Sequence, residues 1–266
     1  MAAPVLPALD LVPLLDGAFR HFVLLLRVGG FLVAAPLFGA RYVPLQVRIV
    51  LGLALTLPLA GRVPLPEPAQ IASLAALPLF ATEMLLGLAA GAVMAVLFSA
   101  ASLAGDRIAN TAGLGFAAQF DPSAGGQTPV VAQLFSFGLM AVFVATDGHL
   151  VALRILLESY VTHPPGSPLR PELLLAALAA GGEMFALGLS LSLPVMGLLV
   201  LLNIAVGVLT RSAPQFNVFS FGFPLTMAAT LLMLFISAPQ MGRGFHSIGE
   251  AALQAVSTLL EVPHDR

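Results

Sequence analysis

The sequence predicts an all-α, polytopic membrane protein, and three observations predict it. Residues 184 to 210 and 212 to 242 carry no charged side chain, and the same feature recurs at 84 to 105 and at 122 to 146. Each run is at least as long as the roughly 20 apolar residues that a helix needs to cross a bilayer core of about 30 Å. Composition agrees: 59% of the residues are hydrophobic, 9% are charged and mean hydropathy is +1.00, whereas soluble domains carry about 25% charged residues.

In chain order the apolar segments fall near 11 to 38, 44 to 61, 69 to 105, 129 to 162, 173 to 210 and 218 to 240, so about six apolar segments are expected. Asp10 and Asp16 precede Arg20, the first arginine, which is not the basic start of a signal peptide, so the first segment is expected to stay in the mature chain. Several segments exceed one straight crossing. Prolines at 36, 44, 58, 78, 194, 214, 224 and 239 each remove a backbone donor or end a helix, so kinked helical hairpins are expected, with freed carbonyls buried in protein. The polar linkers are 62 to 68, 106 to 128 and 163 to 172. A single domain over 1 to 266 is expected, with one candidate sub-boundary at 163 to 172, in Pro164-Pro165-Gly166-Ser167-Pro168. The arginines are spread over loops and helix ends, so they give no orientation.

A net charge of -2 is too small to imply a nucleic-acid partner or an acidic substrate, and no basic cluster marks a lipid-headgroup or phosphate site. The absence of cysteine excludes disulfides, thiolate metal sites and a cysteine nucleophile. The five histidines show no metal-ligand spacing, and no nucleophile or phosphate-loop motif is present, so the chain reads as non-enzymatic, without cofactor or metal. In Asp147-Gly-His149, the histidine is read as making a hydrogen bond at a helix end.

The remaining charges are informative, because a charge at mid-bilayer costs about 2.5 to 3.5 kcal/mol on insertion scales and faces protein or water. Arg27, Glu83, Asp106, Arg107, Arg154, Glu158 and Glu183 are such groups. Arg154 and Glu158 lie four apart and can neutralise each other on one helix face. Glu83 lacks a local partner, and a group from another helix or subunit is expected, with Arg27 one candidate. Gly87, Gly91, Ala95 and Ser99 recur every four residues, a pattern that lets membrane helices approach closely, either within the chain or at a subunit contact. The Gly29-Gly30 pair reads as a closely packed helix end. From Asn110 to Pro122, glycines at 113 and 115 alternate with bulky Leu114, Phe116 and Phe120; this is either an ordinary connection or a mobile constriction.

The ordered landmarks Arg27-Val-Gly-Gly, Ala-Pro36-Leu-Phe-Gly, Val43-Pro44-Leu-Gln-Val-Arg48, Ala104-Gly105, Gly113-Leu-Gly-Phe-Ala-Ala-Gln-Phe-Asp121-Pro122, Asp147-Gly-His149-Leu, Pro165-Gly166 and Arg211-Ser-Ala-Pro-Gln-Phe-Asn-Val-Phe-Ser-Phe-Gly-Phe-Pro224 cover nearly the whole chain. Together they resemble the FliR family of type III secretion export-gate subunits, in its flagellar more than its virulence form. The resemblance implies a subunit of the flagellar protein export gate in the bacterial inner membrane, at the basal body. Its implied partners are FliP-like and FliQ-like small membrane subunits, a FlhB-like switch subunit, membrane lipid and unfolded protein substrates. It further implies a plug loop over Leu114 to Phe120, in which Leu114, Phe116, Gln119 and Phe120 close the resting pore. It makes Pro214, Gln215, Asn217, Phe219 and Pro224 an assembly and packing motif, and the intramembrane charges contacts buried on assembly. The alternative is a secondary transporter for a small solute, with Glu83, Asp106 and Arg154 forming a mid-membrane site.

Overall fold

A computed structural model describes residues 12 to 65, 76 to 114, 129 to 168, 172 to 213, 215 and 221 to 260, with side chains from residue 15 and, after the break at 169 to 171, from residue 175. The described residues form α-helices and turns and contain no strand. The helices are α1 (Val12–Ala34), α2 (Leu45–Thr56), α3 (Leu77–Thr111), α4 (Val130–Ala145), α5 (Gly148–Thr162), α6 (Glu172–Ser212) and α7 (Phe223–Leu259).

Among the described residues four helices, α1, α3, α6 and α7, are long and apolar enough to cross a membrane, and the bent pair α4 and α5 makes a fifth candidate span. The second apolar segment yields only the 12 residues of α2, about 18 Å of helix, which is too short to cross. The fourth segment breaks without a proline: α4 and α5 meet at 69°, with Asp147 in the left-handed region at φ 57°. Asp and Asn visit that region more readily than other non-glycine residues. Conversely, Pro194 and Pro239 lie inside α6 and α7, which continue past them. Pro224 falls in the first turn of α7, where its missing N–H has no helical partner to lose.

The last helix runs to Leu259, well past residue 240. Hydropathy falls once Arg243 and Glu250 enter, but buried Met241, Phe245, Ile248, Ala252, Val256 and Leu259 keep a three- and four-residue spacing. This is the apolar stripe of an amphipathic helix.

The chain divides into two compact units. The first comprises residues 1 to 92, 153 to 173 and 256 to 266. Its core includes Leu24, Val28, Phe31, Leu32, Leu86, Leu156 and Tyr160. Here α1 and α3 run parallel at very short range. A Cβ on Gly30 would stand 2.8 Å from the Met84 carbonyl oxygen, and one on Gly87 would overlap the Arg27 carbonyl. Gly91 abuts Ala34 and Ala35 in the same way. Thus the Gly87 and Gly91 end of the small-residue row serves packing within the chain, as does Gly30, whereas Gly29 has open space beside it. After α1, Arg48 donates to the Ala40 carbonyl at 2.8 Å, tying the Pro36 turn to α2.

The second unit comprises residues 93 to 152 and 174 to 255. Two edge-to-face aromatic pairs mark its core, Phe98 with Phe143 at 5.0 Å and Phe135 with Phe245 at 5.5 Å, the arrangement that ring quadrupoles favour. Along α6 and α7 much apolar surface stays uncovered, including Leu193, Leu201, Leu231 and Phe235.

Candidate functional site

In the first unit, Arg27 is fully buried on α1, beside the similarly buried Glu83 of α3. Its Nε donates to Glu83 Oε2 at 2.9 Å and its Nη2 to Oε1 at 3.0 Å. This two-pronged geometry is what the planar guanidinium fork offers a carboxylate. The close α1 and α3 backbones permit it, since larger residues at 30 and 87 would hold the helices apart.

The other N–H groups of Arg27 turn to the end of α5. Nη1 donates to the carbonyl and the hydroxyl of Ser159, both at 3.0 Å, and Nη2 donates to the His163 carbonyl at 2.8 Å. All five guanidinium N–H groups therefore have acceptors. The Ser159 carbonyl also accepts from the His163 N–H at 2.8 Å, and a cation at this terminus meets the negative end of the helix dipole. Tyr160 completes the site. Its ring lies 4.3 Å from the guanidinium carbon, and its hydroxyl donates to the Leu24 carbonyl at 2.6 Å. Three helices thus converge on one charge.

Beyond α5, the Ser167 N–H donates to the Pro164 carbonyl at 3.1 Å and Gly166 has φ 94°. Proline followed by glycine is the sequence that a type II turn requires. The Pro165-Gly166 landmark is therefore the turn that follows the arginine-bound end of α5.

In the second unit, α3 ends at the segment singled out as a plug. The Leu114 N–H donates to the Ala109 carbonyl at 2.9 Å and the Gly113 N–H to that of Asn110 at 3.1 Å, with Gly113 at φ 79°. This pair of bonds about a left-handed glycine is a Schellman cap. The carbonyls still free there are met from two other helices. Asn203 of α6 donates to Thr111 O at 2.9 Å, and the Thr226 hydroxyl of α7 reaches Ala112 O at 3.5 Å. The C-terminus of α3 is thereby held by the same helices that flank the 211 to 224 motif. Leu114 is half-buried and Gln215 exposed. Phe116, Gln119, Phe120, Pro214, Asn217 and Phe219 lie outside the described residues.

The other expected groups are local. Asp106 accepts from Asn110 at 3.0 Å, and Arg107 is exposed on α3. Arg154 and Glu158 are both exposed and form no ion pair among the described residues. Glu183 is exposed on α6. The expected helix-end bond of His149 is not made, since its buried Nδ1 has no partner among the described residues. The Thr146 hydroxyl instead donates to the Val142 carbonyl at 3.0 Å. No group of metal-ligating side chains occurs among the described residues.

Sequence reasoning paired Arg27 with Glu83 as one option but missed Ser159, Tyr160, His163, Asn203 and Thr226. Asn203 carried a signal, as a lone amide inside the uncharged run of α6. The carbonyls of Ser159 and His163 carried none, because every residue has one.

Comparison with known proteins agrees with these landmarks. The family of bacterial export proteins, family 1, matches residues 18 to 251. The chain is 35% identical over 231 residues to the flagellar biosynthetic protein FliR of Pectobacterium carotovorum subsp. carotovorum, covering 86% of this chain and 87% of that protein. It is 35% identical to the FliR of Escherichia coli (strain K12), over 80% of this chain and 82% of that one. Against the FliR of Bacillus subtilis (strain 168) it is 30% identical, over 82% and 86%. These matches support an export name and lend nothing to the transporter reading. By its sequence over nearly its whole length, and with helices fit to cross a membrane, the chain belongs to the bacterial export proteins, family 1, the FliR family.

Proposed function

We propose that this chain is a subunit of the flagellar type III protein export gate, a non-enzymatic part of the channel through which unfolded substrates leave across the bacterial inner membrane at the basal body. The observation that carries the reading is the family match over residues 18 to 251, with relatives named flagellar biosynthetic protein FliR. FliP-like and FliQ-like subunits and a FlhB-like subunit are its partners, and they cover apolar surface that α6 and α7 leave open.

Within this reading, Leu114, Phe116, Gln119 and Phe120 close the resting pore. The Schellman cap at Gly113, with the Asn203 and Thr226 bonds, supports it by giving such a loop a fixed point of departure. The Arg27 site is structural, fixing three helices so that assembly surfaces keep their shape. The residues of the 211 to 224 motif, between α6 and α7 in the chain, serve packing.

Glycine at positions 114, 116 and 120 together tests the plug through potassium efflux from cells that assemble the variant gate. The expected result is faster efflux than in cells with the wild-type gate. Unchanged efflux with normal assembly would remove residues 114 to 120 from the constriction.

A further inference from the structure

Between α6 and α7 the second unit holds a half-open groove of about 360 Å³, lined in part by Ser190, Pro194, Ser237, Gln240, Arg243 and Ser247. Leu187, Leu191, Val195, Met241 and Ile248 also line it, so polar groups and apolar side chains share the groove. On α7, Ser237, Gln240 and Ser247 recur at intervals that put them on one face, with Arg243 beside them. On α6, Pro194 has no N–H, so the Ser190 carbonyl loses the donor that would normally come from four residues on. The groove therefore sets donors on α7, the Arg243 guanidinium and the Gln240 amide, against an acceptor on α6.

Two further observations define what fits. Arg243 is exposed, and its guanidinium makes no hydrogen bond or ion pair among the described residues. It is also the first charge on α7 after the uncharged run that begins at residue 212. From Phe223 to Arg243 the helix rises about 30 Å, the thickness of a bilayer core. With the uncharged stretch of α7 placed in hydrocarbon, Arg243 falls at its edge and is followed along the helix by His246 and Glu250.

We propose that this groove binds the headgroup of an anionic glycerophospholipid. The phosphodiester takes the guanidinium of Arg243 in a forked contact, with the Gln240 amide as a further donor. A headgroup hydroxyl donates to the Ser190 carbonyl, and the acyl chains lie along the uncovered leucines of α6 and α7. A phosphatidylglycerol headgroup supplies both the charge and the hydroxyl. The proposal requires that the helices cross a membrane and that partner subunits leave the face beside this groove to lipid.

The test extracts the full chain, in whatever complex it forms, from native membranes in mild detergent and counts retained phospholipid by native mass spectrometry. Wild type is expected to keep phosphatidylglycerol in preference to phosphatidylethanolamine, and R243Q to keep about fivefold less, the factor for one surface arginine against an anionic lipid. Ser247→Leu, which fills the groove and leaves the arginine in place, is expected to lose the lipid as well, so the proposal remains testable if R243Q is not recovered folded. Lipid retention by Ser247→Leu at the wild-type level overturns it. So does loss of a partner subunit rather than of lipid from R243Q, which would make the groove a protein contact. Adding phosphatidylglycerol micelles to delipidated wild type is expected to raise its melting temperature. An equal rise with inorganic phosphate would mean a site for free anions and would also overturn the proposal.

Discussion

Arg27 and Glu83 lie 56 positions apart in sequence and meet through two parallel hydrogen bonds of 2.9 and 3.0 Å, both side chains shut off from the surface. Taking two charges out of water is costly, and such a pair is tolerated when every donor finds an acceptor. Arg27 meets that condition with the help of carbonyls at the end of α5. Removing one partner is therefore worse than removing both. Arg27→Met or Glu83→Leu alone should cost about 3 to 5 kcal/mol by leaving a buried charge uncompensated. The double variant R27M/E83L should recover much of that loss. Thermal unfolding of the detergent-solubilised complex, followed by size-exclusion chromatography, reads the difference, and additive losses in the double variant would argue against a coupled pair.

The glycines between α1 and α3 give a sharper contrast. Gly87→Val would drive a side chain into the Arg27 backbone, whereas Gly29→Ala enters open space. The first should abolish accumulation of folded chain in membranes. The second should leave accumulation within about 0.5 kcal/mol of wild type in stability, as for surface changes elsewhere. Immunoblots of membrane fractions with both variants decide it, and equal tolerance at the two positions would mean that the helices are not held at this distance.

Much of the fold was legible in the sequence, because crossing a membrane demands length and freedom from charge, and both are written residue by residue. The spans of α1, α3, α6 and most of α7 follow from that. Where hydropathy fell, legibility fell with it: the last third of α7 is amphipathic and shows itself only through the spacing of Phe245, Ile248 and Ala252. The break at Asp147 was hidden for a different reason. Proline was the expected breaker, yet Pro194 and Pro239 are carried within helices while a lone left-handed aspartate turns the chain. At the site, ionised side chains stand out against apolar sequence, so Arg27 and Glu83 were visible. The helix-end carbonyls that complete the arginine's shell are backbone groups, and only the fold brings them there.

The cap of α3 should be sensitive at three positions. Gly113→Ala forces a non-glycine residue to φ 79°, at about 1 to 3 kcal/mol for a strained backbone. Asn203→Leu leaves the Thr111 carbonyl without its donor, a loss of about 1 to 3 kcal/mol if the group stays dry, and Thr226→Val acts likewise on Ala112 through a longer and weaker bond. The expected signature is local, with faster protease cleavage or hydrogen exchange at 109 to 114 and little change in the Arg27 region. Uniform destabilisation of the whole chain would contradict an anchoring role.

A turn prediction follows at Gly166. With φ at 94°, Gly166→Ala should be strained by about 1 to 3 kcal/mol, while Ser167→Ala removes only a local hydroxyl bond to the Pro164 carbonyl and should be mild. Melting temperatures of the two variants compare them directly. A larger drop for Ser167→Ala would show that the side chain and not the backbone conformation holds the turn.

The central claim is that the chain works as one subunit of an export gate, and its composition in the native membrane tests that most directly. Affinity purification of the tagged full chain in mild detergent, with the mass of the intact complex, should give one copy of this chain with several copies of two small membrane proteins. A stable monomer or homodimer lacking those subunits would contradict the account.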